Sequence, residues 1–177
     1  MTAPTPARAP RGSVDRRSAA RLAAVQALYQ ADEGLEEPEA LILDFLTFRR
    51  GAQLDPEADS DSPVAMDTAL FEDIVRGSLR RREAIDEILS SALNESWPLH
   101  RLERVLRAIL RCASYELLGR EDIPPRATIS EYLDIAHAFF EGDEPKLVNG
   151  VLNALARRAR EGELLAVRDV ATDTGEG

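Results

Sequence analysis

Residues 98–119 read PLHRLERVLRAILRCASYELLG. Leu102, Val105, Leu106, Ile109 and Leu110 recur at steps of three and four, the spacing that aligns side chains along one face of a helix. Arg101, Arg104, Arg107 and Arg111 fall within about 120° of arc on the opposite side. Pro98 suits a first helical position, where the missing N–H would be unbonded anyway. Tyr115, Leu117 and Leu118 extend the apolar pattern up to Gly119. The periodicity predicts helix from Pro98 onward and leaves open whether it is one helix or a fourth and a fifth.

The same period governs the flanks. From Asp15, Leu22, Val25, Leu28 and Tyr29 form an apolar stripe among helix-favouring alanines, with Gly34 as a stop signal. Pro38 opens a second helix through Leu41, Ile42, Phe45 and Leu46. Residues 51–63 are rich in Asp, Ser and Pro and read as an acidic loop. A third helix carries Leu70, Ile74, Leu79, Ile85 and Leu89 on its buried side, with Asp67 or Thr68 as cap. Pro124 and Pro125 force a break. A helix from about Thr128 to Phe140 follows, with Ile129, Leu133, Ile135, Ala136 and Phe139 on its stripe. After a turn at 142–145, the last helix carries Leu147, Val148, Val151, Leu152 and Leu155. No segment repeats and none alternates like a strand, so the expected fold class is all-α. Residues 1–14, broken by Pro4, Pro6, Pro10 and Gly12, read as a disordered arm. Residues 15–162 read as the helical domain and 163–177 as a flexible acidic tail.

With 177 residues, 44% hydrophobic and 31% charged, the composition is that of a globular protein. No run reaches the ~18 apolar residues of a membrane span, and the N-terminus lacks the apolar core of a secretory signal. The single Cys112 has no disulfide partner within the chain, which points to a reducing, cytoplasmic setting. A net charge of −10 argues against bulk electrostatic binding of nucleic acid, but the charge is segregated. Residues 1–30 carry +4, 31–73 carry −11, 74–120 carry +3 and the remainder −6. A basic patch can therefore persist on an acidic chain.

Signatures of catalysis are absent. His100 and His137 belong to no metal-spaced set, and there is no phosphate-cradling glycine loop or nucleophile elbow. The expectation is no enzyme, no cofactor and no metal. Cys112 and His137 read as packing or surface residues. Two arginine groups are more informative. Arg17 and Arg21 stand four apart on one face at the start of the first helix, with Arg16 adjacent, where guanidinium groups suit phosphates. The array of Arg101, Arg104, Arg107 and Arg111 reads either as an RNA-facing strip or as the wet side of a helix. Arg80, Arg81 and Arg82 wrap around their helix and specify little.

Three stretches then resemble one family. Residues 17–29 (RSAARLAAVQALY), 110–125 (LRCASYELLGREDIPP) and 146–152 (KLVNGVL) are similar, in order, to motifs of the bacterial antitermination factor family NusB. The resemblance covers about residues 16–160. It implies seven helices in two packed halves, about 15–92 and 97–162. It also implies binding of the boxA element in nascent ribosomal RNA leader transcripts, together with NusE, a small-subunit ribosomal protein, in an RNA polymerase antitermination complex. By the same resemblance Arg16, Arg17, Arg21, Phe139, Asp143, Lys146 and Asn149 are RNA-binding positions and Tyr29 is a partner-binding position. A homodimer of the free protein is left open.

The chain departs from the family pattern at Ser18, Ala19 and Leu22, which replace basic or acidic residues, at Leu147, where phenylalanine is common, and at Leu106, often acidic. Two alternatives follow. One is a protein-binding adaptor with reduced RNA affinity. The other is the NusB-like domain of ribosomal RNA cytosine methyltransferases, disfavoured because the sequence stops soon after the last helix.

Overall fold

The computed structural model describes residues 11–31, 37–53 and 65–162. Seven α-helices occur among them: α1 (Arg11–Ala31), α2 (Pro38–Gln53), α3 (Thr68–Arg80), α4 (Arg82–Ala92), α5 (Arg104–Gly119), α6 (Pro125–Phe139) and α7 (Glu144–Arg160). No strand occurs among the described residues, so the all-α expectation holds. Helix α1 starts at Arg11, within the segment expected as an arm, and α2 runs on to Gln53. Gly34, the rest of the acidic 51–63 segment up to Pro63, residues 1–10 and the tail from 163 lie outside the described residues.

Helix α5 is the axis of the fold. Every residue from Ala108 to Leu118 is buried, as expected for a helix covered on all sides. Helices α1, α3, α4, α6 and α7 pack around it. The open question about residues 98–119 resolves into one helix with a later start. Leu99–Arg101 form a single 3₁₀ turn, Leu102 and Glu103 are extended, and α5 begins at Arg104. The guanidinium of Arg107 donates to the carbonyl of Leu102 at 2.9 Å, which holds this entry turn against the helix.

The expected third helix is two. Arg81 leaves helical geometry at φ −108° and ψ 18°, separating α3 from α4. The break sits where α3 crosses Tyr115: a Cβ on Gly77 would lie 2.1 Å from the ring, and the Arg81 guanidinium stands 5.2 Å above it. Periodicity runs straight through residues 70–89, so the pattern carries no sign of it. Asp67 caps α3, its carboxylate accepting from the Leu70 N–H at 3.1 Å.

The buried face of α1 also differs from the expected stripe. Ala20, Ala23, Ala24, Ala27 and Ala31 are buried with Val25 and Leu28, whereas Leu22 and Tyr29 are exposed. Small side chains let α1 lie close against α3 and α5. Helix α6 starts at Pro125 rather than Thr128, with the proline supplying the first turn. Because the Gly77 contact leaves no room for a methyl group, Gly77→Ala is expected to destabilise the protein by about 1–3 kcal/mol. A lower urea midpoint than wild type checks this; an unchanged midpoint contradicts it.

Candidate nucleic-acid interface

Exposure falls along the first turns of α1 as they enter the bundle. Arg16 and Arg17 are exposed, Ser18 and Ala19 are half-buried, and Arg21 is buried. The Arg16 carbonyl accepts from the Asp67 N–H at 3.0 Å, tying this end of α1 to the entry of α3. Arg17 faces the turn before α6, where Asp122 is held below the usual carboxylate range, chiefly by its bond to Arg120 and with a smaller contribution from the charge of Arg17.

Arg21 corrects the expectation that it shares an RNA-facing surface with Arg17. Its Nε donates to both carboxylate oxygens of Glu116 at 3.0 Å, and Glu116 is fully buried. The Nη1 lies 3.6 Å from Glu131, which also accepts from the Ser18 hydroxyl at 2.6 Å. Burial alone would lower the Arg21 pKa, but the bond to Glu116 and the surrounding negative charge outweigh it and leave it raised. The donors of Arg21 therefore point inward, toward Glu116 and Glu131.

Phe139 is exposed at the end of α6, while the neighbouring Phe140 takes the packing position. With Tyr29, Phe45, Phe48 and Val105, Phe139 lines a largely apolar groove of about 780 Å³, to which Gln26, Gln30 and Asp44 add polar groups. Tyr29 is held there by Arg104, whose guanidinium lies 4.6 Å from the ring centroid and donates to the Tyr29 carbonyl at 3.0 Å. On α7 and its entry, Asp143, Lys146 and Asn149 are exposed, with Lys146 Nζ 3.9 Å from Asp143. Asn149 accepts on its side-chain oxygen from Asn153 at 2.8 Å.

The fold therefore spreads the expected positions. Arg17 lies beside Asp122 and Ser18 beside Glu131, whereas Phe139 meets Val25 and Tyr29. Helices α1 and α6 thus run alongside in the same sense. The eight residues from Glu131 to Phe139 correspond to about 12 Å of helix. Phe139 belongs to the same groove as Tyr29, not to the arginines.

The second arginine array does not form a strip. Arg111 is buried and pairs with Asp86 at 2.8 and 3.0 Å, Arg107 serves the Leu102 carbonyl, and Arg104 serves Tyr29. Leu106 is buried, so that position offers no surface to a partner. Cys112 is buried, with its thiol pushed far up by desolvation, and His137 is exposed. Among the described residues no three His, Cys, Asp or Glu side chains cluster in a metal-binding group. No described helix is long and apolar enough to cross a membrane. Sequence reasoning missed the Glu116 partner of Arg21, the groove-lining Phe45, Phe48 and Val105, and Asn153. None carries a local signal, because each acquires its role from a neighbouring turn or helix.

An exposed basic helix start, an apolar groove and a polar helix face on one seven-helix scaffold define an all-helical protein with surfaces suited to macromolecular recognition. The chain belongs to the NusB family, whose model matches residues 18–157. It is 46% identical to the transcription antitermination protein NusB of Granulibacter bethesdensis, over 86% of this chain and 94% of that protein. Identity to the NusB of Gluconobacter oxydans is 48%, over 84% and 91%. Among solved structures, T. maritima NusB superposes with a TM-score of 0.64 at 31% identity, covering 85% of this chain and 96% of the other. A chain from the crystal structure of a plectonemic RNA supercoil gives 0.62 at 25% identity, covering 79% and 93%.

Arg21→Ala leaves Glu116 buried without its cation and is expected to cost about 3–5 kcal/mol. Arg17→Ala, at an exposed position, is expected to stay within about 0.5 kcal/mol of wild type. Paired urea titrations separate the two; equal midpoints would contradict the assignment.

Proposed function

We propose that this protein is a transcription antitermination factor that binds boxA RNA of ribosomal leader transcripts together with NusE, within an RNA polymerase complex. The observation that carries the reading is the contrast at the start of α1. Arg21 is enclosed by Glu116 and Glu131, while Arg16 and Arg17 remain exposed immediately before it. The enclosed pair fixes the helix, so the two exposed guanidinium groups stand on a rigid base from which to bind phosphates. Lys146 and Asn149 supply further cationic and amide donors on α7. Membership of a family whose named relatives are antitermination proteins supports the same role.

NusE is assigned to the apolar groove. Exposed aromatic side chains around a concave surface are the features from which protein interfaces gain most of their binding energy. Tyr29 and Phe139 are 43% and 46% exposed, and Phe48 is 78% exposed, so the groove rim presents three rings to solvent. Phe139 accordingly moves from the RNA set to the partner set.

Binding of labelled boxA-type RNA, with and without NusE and against a scrambled RNA, tests the reading. Selective binding strengthened by NusE is expected; equal or absent binding to both RNAs would contradict it. Arg16→Ala combined with Arg17→Ala should flatten the salt dependence by about 0.7 per lost phosphate contact. Tyr29→Asp should weaken NusE capture by about tenfold or more while leaving the fold intact, since its side chain is exposed. Unaltered capture by the folded variant would remove Tyr29 from the interface.

A further inference from the structure

Arg104 is a cation in an unfavourable place within its own helix. It is the first residue of α5, whose first turn holds no acid, and the unbonded N–H groups of a helix start favour negative charge. The end of α1 accounts for it. The last turn of α1 contains no basic residue, and the carbonyls of its final four residues, Tyr29 among them, have no partner inside the helix. Arg104 Nη2 donates to the Tyr29 carbonyl at 3.0 Å, so a side chain of α5 caps α1 across 75 residues of chain.

The same guanidinium lies over the Tyr29 ring, 4.6 Å from its centroid. One planar group therefore holds the residue at two points: its edge binds the backbone and its face covers the ring. Tyr29 is still 43% exposed, and on its open side it lines the groove with Val25, Val105 and Phe139. Arg104 is not part of that lining, although its neighbour Val105 is. An exposed ring normally has rotamer freedom to lose when a partner binds, and a ring already held in place loses less.

We infer that Arg104 is a positioning residue of the NusE interface, which sets the Tyr29 ring in the orientation that the partner meets. The inference rests on the assignment of Tyr29 and the groove to NusE. A cap alone would require only a donor at the Tyr29 carbonyl. The ring contact requires the guanidinium plane as well, which a lysine ammonium lacks.

The test measures NusE capture by the full chain carrying Arg104→Met or Arg104→Lys, each alone and combined with Tyr29→Ala. Thermal unfolding of each variant fixes a working temperature at which all are folded. Arg104→Met keeps the aliphatic stem and loses the charge and the donors. It is expected to lower the thermal midpoint by about 2–4 °C, as a lost cap does, and to weaken capture by about fivefold to tenfold. Arg104→Lys is expected to restore the midpoint and to leave capture weakened. With Tyr29 already alanine, neither substitution is expected to weaken capture further, because the ring through which Arg104 acts is gone. A lowered midpoint with unchanged capture makes Arg104 a cap alone and overturns the inference. Full restoration of capture by lysine overturns the part given to the guanidinium plane. Equal weakening with and without the Tyr29 ring places Arg104 in direct contact with the partner and also overturns it. Unaltered capture by Tyr29→Ala itself is a different failure: it removes Tyr29 from the interface, and this inference falls with that assignment.

Discussion

The buried pair of Arg21 and Glu116 joins α1 to α5, and Arg21 reaches on to Glu131 of α6. Two charges at 4% and zero exposure are tolerable only because each satisfies the other. Such a pair adds little net stability over a well-packed apolar substitute. Its effect is on geometry: the bidentate contact admits one register of α1 against the central helix. Everything at the start of α1 inherits that register, including the exposure of Arg16 and Arg17 and the bond between the Arg16 carbonyl and Asp67. Tyr132 adds to the same interior, its phenol kept neutral to high pH by burial and by the adjoining Glu116.

Basic side chains are correspondingly scarce as recognition groups. Of 22 basic residues one is lysine, and many arginines serve the fold. Arg111 pairs with Asp86, Arg76 with Glu39, Arg120 with Asp73 and Asp122, and Arg107 with the carbonyl of Leu102. Arginine does this work well because its planar fork satisfies two acceptors at once. The consequence is that a count of arginines along the chain overstates the cationic surface. Apart from Asp122, two residues beyond Arg120, the acidic partners that neutralise them come from other helices.

Local signals were legible where the chemistry was local. The Asp67 cap and the apolar periods of α2 and α7 could be read from short windows, whereas Pro125, read as part of a break, turned out to open α6. The break at Arg81 was not, because the pattern of Leu70, Ile74, Ile85 and Leu89 continues through it and Tyr115, on another helix, marks its place. Arg21 was misplaced for the same reason: its spacing to Arg17 is visible in sequence, whereas Glu116 is not. Exposure of Leu22 and Tyr29 likewise depends on alanines packing in their stead. The groove draws on α1, α2, α5 and α6, so no window contains it.

The contact between Arg21 and Glu116 spans 95 residues of chain. During synthesis at ~5–20 residues per second, α1 emerges about 5–20 s before the carboxylate that neutralises its buried guanidinium. Until then the alanine face of α1 has neither a charge partner nor the central helix to pack on. The N-terminal helix therefore docks late, and folding of the whole bundle awaits α5. For a nascent chain this places the vulnerable interval at the beginning of the molecule, in the same turns that carry Arg16 and Arg17.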